Sequence, residues 1–193
     1  QIFDDPKLRE AGITLEKLRS EGSIRVAPSP YVPFQDLNFK TRSGRIEFYT
    51  EQLPEKLPVF HPPIEAWPEN PLASKYPLVC IQAGTRFRVH TQYFNTPWLR
   101  ELDPRPLVEI NPSDARPRAI NDGDVVEVYN DRGHVKLHAK LSEALRPGMI
   151  NISRGCPTSQ FIEGNSQELI ADHRNPDTLN CSFFDTLVEV KKV

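Results

Sequence analysis

Apolar and polar residues alternate with a period of two along much of the second half of this chain, which is the pattern of half-buried strands. It is clearest in His134–Leu141, where Val135, Leu137, Ala139 and Leu141 share one face and His134, Lys136, His138 and Lys140 the other. The turn Asp131-Arg132-Gly133 precedes it, and the preceding strand Val125–Tyr129 follows the turn Asp122-Gly123-Asp124, which predicts a half-exposed hairpin. Short apolar runs at Tyr76–Ala83, ending at Gly84, and at Leu107–Ile110 read as further strands. Arg146-Pro147-Gly148 makes a turn before a strand over Met149–Ile152, and alternating Phe184, Thr186, Val188 and Val190 predict the last strand.

Helices are few and short on this reading. Asn111 is a candidate N-cap with Pro112 at the first helical position and Asp114 in the first turn, and Pro117 limits that helix to about two turns. Asn165 followed by Glu168 resembles a capping pair and predicts a helix to about Asp172, with a stop at Asn175-Pro176. Short strands, small helices and frequent turns predict a mainly β protein with a closed or nearly closed barrel.

Composition divides the chain. Ten of its 19 prolines fall before Tyr76, in a stretch with little periodicity, so residues 1–75 are expected to be an irregular Pro-rich arm or linker, poorly ordered alone, and residues 76–193 the domain. With 24 basic and 26 acidic residues the formal charge is −2, so no overall field favours nucleic acid or an acidic membrane, and an anionic ligand would have to be held locally. No stretch approaches the roughly 18 apolar residues of a membrane span, and the N-terminal residues lack a signal peptide's basic and apolar regions. The three cysteines, Cys80, Cys156 and Cys181, are widely spaced and form no Cys-x-x-Cys pair, so neither a disulfide framework nor a cluster motif is expected.

The candidate chemistry lies in two segments, Ala83-Gly84-Thr85-Arg86-Phe87-Arg88-Val89-His90-Thr91-Gln92 and Gly164-Asn165-Ser166-Gln167-Glu168-Leu169. Each puts glycine beside side-chain donors, so backbone can approach a ligand while Thr, Arg, His, Asn and Gln offer hydrogen bonds to phosphate or to the edge of a heterocycle. His134 and His138 share only the outer face of a strand and have no third ligand nearby in sequence, so no metal site is expected there. Cys156 lacks a feature that would depress its pKa, and no catalytic residue is assigned.

Taken in order, these segments, the hairpin between them, and Arg42-Ser-Gly-Arg-Ile-Glu upstream make the chain similar to a known family. It resembles, over Tyr76–Val193, the C-terminal molybdopterin-dinucleotide-binding domain of the dimethyl sulfoxide reductase family of molybdenum and tungsten oxidoreductases. The resemblance implies a double-psi β-barrel (aspartate-decarboxylase-like) and a cofactor-binding role within a larger catalytic subunit, inactive as a fragment. Gly84, Thr85, Arg86, His90, Thr91, Gln92, Asn165 and Gln167 would contact molybdopterin guanine dinucleotide, with Arg86 on a pyrophosphate oxygen or the pterin edge. Gln167 stands where family members often carry Asn, and Phe183-Phe184-Asp185 where many carry a lysine. The metal ligand, and an iron–sulfur cluster if there is one, would lie upstream. The partners implied are the subunit's own preceding domains and an electron-transfer subunit. The alternative is a stand-alone double-psi barrel that binds a nucleotide or a partner protein without redox chemistry, because one fold hosts many functions.

Overall fold

The computed structural model describes residues 5–25, 30–175 and 179–193. They fall into two compact units, Gln1–Val59 and Phe60–Val193. Residues 60–75, which composition assigns to the arm, are thus grouped with the domain that follows.

In the first unit, helices α1 (Pro6–Glu10) and α2 (Leu15–Glu21) start where side chains cap them. The Asp5 carboxylate accepts from Lys7 N–H at 2.8 Å and the Thr14 hydroxyl from Lys17 N–H at 3.1 Å. Turns follow, and none of the described residues of this unit is buried. At Ser43–Glu47 the Ser43 N–H donates to the Glu47 carboxylate, and the contacts from Ser43 hold that carboxyl below its usual value.

The second unit is built on seven strands: β1 (Leu78–Ile81), β2 (Leu107–Ile110), β3 (Val125–Tyr129), β4 (His134–Leu141), β5 (Met149–Ile152), β6 (Glu163–Gly164) and β7 (Leu187–Lys192). Their order is β2-β5-β1-β7-β3-β4, and a β2–β4 pairing closes the ring, with β6 attached outside β4. Closure removes the sheet edges that would otherwise be left unpaired. Two of the seams, β1–β5 and β2–β4, are parallel; β2–β5, β1–β7, β3–β4 and β3–β7 are antiparallel. This is the mainly β closed barrel, with short helices, that the sequence and its family resemblance imply.

The period-two pattern explains the core. Val126 and Val128 of β3, Val135, Leu137 and Ala139 of β4, Val108 and Ile110 of β2, Ile150 and Ile152 of β5, and Val188 and Val190 of β7 all turn inward and are buried. Helix α3 (Pro97–Leu102) was not predicted. Helix α4 (Pro112–Ala115) starts as expected, with Asn111 accepting from Ser113 N–H at 2.9 Å, and tightens into a 3₁₀ turn over Arg116–Arg118 where Pro117 stops it.

Two expectations are corrected. The helix predicted from Asn165 to Asp172 is a single 3₁₀ turn, Ser166–Leu169. Asn165 does cap it, accepting from Gln167 N–H at 2.9 Å, but the Leu169 carbonyl that a longer helix would use is taken by Asn130 Nδ2 and Arg132 Nε, both at 2.8 Å. Leu169 is fully buried and Ile170 is already extended. Pro176, offered as a stop signal, lies outside the described residues. The final strand begins at Leu187 rather than at Phe184, which is exposed. Just before it, the buried Asp185 carboxylate accepts from the backbone N–H groups of Ile64 (2.8 Å), Glu65 (2.9 Å) and Ala66 (2.5 Å), so these residues fasten a strap instead of extending the alternation.

The strap has a second lock. Glu65 is buried and receives a two-pronged contact from Arg132, Nη1 at 2.7 Å and Nη2 at 2.8 Å, while Leu187 N–H donates to the same carboxylate at 2.6 Å.

Candidate functional site

Because β1 and β5 run parallel, the chain leaves both strands at the same end of the barrel, at Ile81 and Ile152. Loops that follow parallel strands are natural positions for a ligand. Here the two loops are tied together. Ala83 N–H donates to Asn151 Oδ1 at 2.9 Å, and Arg154 N–H donates to the Ala83 carbonyl at 3.1 Å. Asn151 is itself held by its amide to Glu109 at 2.9 Å.

A cleft of about 310 Å³ opens at this end, at the small end of ligand sites. One wall is the turn at His90 and Thr91, a second is Arg154-Gly155-Cys156, and a third is Asn165 and Gln167; Gln82 and Phe183 complete the lining. Gly155 is required where it stands. Its φ is +86°, and a Cβ there would lie 2.2 Å from the His90 carbonyl oxygen, so the two loops could not close on each other with any other residue. His90 also has a left-handed backbone, φ +54°, in the turn closed by Gln92 N–H on the Val89 carbonyl at 3.0 Å.

The lip is braced from behind by Arg88. Its side chain is 5% exposed, ion-paired to Asp103 at 2.6 Å, within 3.4 Å of the Cys156 sulfur, and over the Phe94 ring at 5.5 Å. Asp103 is the C-cap of α3, so that unpredicted helix is what anchors the loop. Burial pushes the Cys156 thiol up, with Arg88 opposing, and drives Cys80 to about 12, so both favour the protonated thiol at neutral pH.

Of the residues named from sequence, the structure brings His90, Thr91, Asn165 and Gln167 together in the cleft wall. Gly84 lies just behind, its Cβ position 3.9 Å from the Arg154 guanidinium. Thr85, Arg86 and Gln92 are outside the lining residues; the Thr85 hydroxyl accepts from Phe87 N–H at 3.0 Å, shaping the loop, and Arg86 is exposed. Asn165 is committed at both ends, donating to Thr158 Oγ1 at 2.7 Å and accepting from Gln167 N–H.

The cation that lines the cleft is Arg154, absent from the sequence-based set. Among the described residues its guanidinium has no hydrogen-bond or ion-pair partner, so its donors are left unspent at the cleft wall. The signal was present: Arg154-Gly155 directly follows an apolar strand, as Gly84-Thr85-Arg86 does. Gln82 and Asn151, polar residues set against apolar strands and buried near the strand ends, carry no comparable local signal. Phe183 offers an apolar face where the resemblance expects a lysine.

Elsewhere, His134 Nε2 pairs with Glu163 at 2.9 Å and His138 Nδ1 with the Gly123 carbonyl at 3.1 Å. Among the described residues no group of three or more His, Cys, Asp or Glu could hold a metal ion, and no helix is long and apolar enough to cross a membrane.

The arrangement can hold an anion at Arg154 and hydrogen-bond a flat polar ring at Gln167, with His90 and Thr91 able to donate or accept. Comparison with known proteins gives the family. Residues 78–187 match the family described as "Molydopterin dinucleotide binding domain". The chain is 35% identical over 164 residues to dimethyl sulfoxide reductase DmsA of Haemophilus influenzae, covering 74% of this chain and 20% of that protein. It is 31% identical over 172 residues to DmsA of Escherichia coli, covering 79% of this chain and 21% of that one. Among solved structures, acetylene hydratase from Pelobacter acetylenicus shares the fold, with a TM-score of 0.69 at 22% identity, over 96% of this chain and 28% of the other. The chain therefore spans about a fifth of the length of these two reductases.

Proposed function

The chain belongs to the molybdopterin-dinucleotide-binding domain family, and from that premise we propose that the cleft between the loops after β1 and β5 is where it grips the cofactor. A molybdopterin-type cofactor is what the family binds, and the residues present fit one: an unpartnered guanidinium for phosphate, amide and hydroxyl groups for a ring edge, and a glycine that lets the two loops close. The observation that carries this reading is Arg154, a donor group with no partner among the described residues, lining a cleft beside Gly84.

Arg154 would take a pyrophosphate oxygen. Gln167, His90 and Thr91 would hydrogen-bond the ring system, and Asn165 would hold Gln167 in place through its backbone. Gly84 gives the guanidinium room; Thr85 and Gln92 would shape the rim, and Arg86 would add longer-range positive charge. We take the barrel of residues 76–193 as the gripping body and the preceding segment as the connection to the rest of a catalytic subunit.

When bound, the cofactor supplies two-electron oxidoreductase chemistry at a molybdenum or tungsten centre. The residues of this chain hold and orient it, and none is assigned a role in bond making. An electron-transfer subunit and an upstream iron–sulfur cluster would complete such an enzyme. The family match favours this reading over a stand-alone, non-redox barrel.

The test is cofactor retention. Arg154→Gln in the holoenzyme should lower bound pterin and metal per polypeptide by about threefold or more while the thermal midpoint of the cofactor-free protein stays where it is, whereas Arg86→Gln should have a smaller effect. Equal retention in Arg154→Gln and the parent protein would remove Arg154 from the site.

A further inference from the structure

The wall that carries Gln167 has a fixed polarity. Gln82 stands just past the end of β1, 2% exposed, and donates its amide N–H to the Ser166 carbonyl at 3.2 Å. A peptide carbonyl can only accept, so the nitrogen of the Gln82 amide must face Ser166 and its oxygen must face away. That oxygen receives the Gln167 amide N–H at 2.8 Å. One N–H of the Gln167 amide is thereby engaged and its nitrogen is held toward Gln82, which leaves Oε1 on the side away from Gln82 to accept from a ligand. An isolated glutamine could present either end; this one is committed by a chain of bonds that begins at a backbone carbonyl.

Building on the cofactor reading above, we infer that Gln82 is a positioning residue that locks Gln167 with its carbonyl oxygen toward the cleft, so that this wall selects the donor edge of a 2-amino-4-oxopyrimidine ring. That fragment, with a ring N–H beside an exocyclic amino group, is common to guanine and to pterin. Neighbouring groups leave the task to Gln167. Arg154 has donors alone and suits an anion or carbonyl oxygen, and Asn165 is engaged at both ends. The cleft thus sorts its ligand, anionic oxygen to Arg154 and N–H donors to Gln167.

The experiment is a calorimetric titration of the full 193-residue chain with ring pairs that differ at the 2-position. One pair is guanosine and inosine monophosphate; the other is pterin and lumazine. Inorganic pyrophosphate serves as an anion probe. The parent chain should prefer the amino-bearing member of one pair by about five- to tenfold, the worth of one net hydrogen bond, and that pair identifies which half of the dinucleotide lies against Gln167. In Gln82→Leu, and separately in Gln167→Met at an exposed position, the preference should fall to near unity. Loss of a merely structural contact would weaken both members of a pair alike and leave the ratio intact. An unchanged ratio in both variants, no preference in the parent chain, or binding of pyrophosphate alone would overturn this inference and leave the cofactor clamp standing. A parent chain that binds none of the five probes would overturn the clamp as well.

Discussion

At the scale of single residues, the proposed site depends on two positions whose requirements differ in kind. Gly155 answers a steric need, since both its left-handed backbone and its approach to the His90 carbonyl exclude a side chain. Gly155→Ala should therefore cost about 3 kcal/mol or more in chemical denaturation and open the cleft. Gly123→Ala provides the control: its φ is +82° but a Cβ there meets nothing within 4 Å, so the cost should be about 1 kcal/mol. Equal losses would mean that backbone conformation, rather than the contact with His90, governs position 155. Arg154 answers an electrostatic need, and its importance was not legible from order along the chain. Arg86 and Arg154 both sit in short Gly-Arg segments after a strand, and which of them faces the cleft depends on the parallel pairing of β1 and β5, a contact between distant stretches. For the same reason Gln82, a single buried polar residue at a strand end, has no local signature that separates it from a satisfied core amide.

At the scale of elements, the strap and the outer seam make opposite electrostatic predictions. Glu65 is buried and its carboxylate takes two bonds from Arg132 and one from Leu187 N–H, so Glu65→Ala strands a guanidinium and a backbone donor together; about 3 kcal/mol of stability should be lost. Asp131→Ala breaks an exposed pair with Lys75 and a bond from the Tyr76 hydroxyl, and should cost far less than Glu65→Ala. Similar losses in both would contradict the assignment of the strap as part of the barrel's support. On the outer seam between β4 and β6, Lys136 and then His134 hold the Glu163 carboxyl below its ordinary value of 4.5, and the same contact raises Lys136. A carboxylate with a lowered folded value contributes above its ordinary range and loses that contribution as pH falls through the lowered value; the raised lysine keeps its contribution until pH climbs through the upper end of its own range. An NMR titration of the Gly164 amide, which sits opposite Val135, should accordingly show a midpoint below 4.5 that vanishes in Glu163→Gln. A midpoint at or above 4.5 would show that the pair is not formed in solution. The strands and the Asn111 cap were legible because their period and cap chemistry are local. The failed helix at Asn165–Asp172 was not, because the carbonyl that ends it is claimed by Asn130 and Arg132, more than thirty residues away in sequence.

At the scale of the whole molecule, alternation along the strands gave the barrel's inside and outside, whereas ring closure, two parallel seams and the cleft at their shared end required knowing which strands pair. The resemblance to a cofactor-binding family bridged that gap, and the match over residues 78–187 supports it. What the fold would contribute to the proposed cofactor grip is position: a closed core holds three loops, and each brings one type of group, a cation at Arg154, an amide at Gln167, and a turn at His90 that only Gly155 can accommodate. The most direct test of this account is the pterin and molybdenum-plus-tungsten content per polypeptide of the holoenzyme, with Arg154→Gln beside the parent. Near-stoichiometric cofactor in the parent, falling about threefold or more in the variant while the two cofactor-free proteins share one thermal midpoint, is the predicted result. A parent protein free of pterin, or a variant that retains it in full, would contradict the claim that this end of the barrel grips the cofactor.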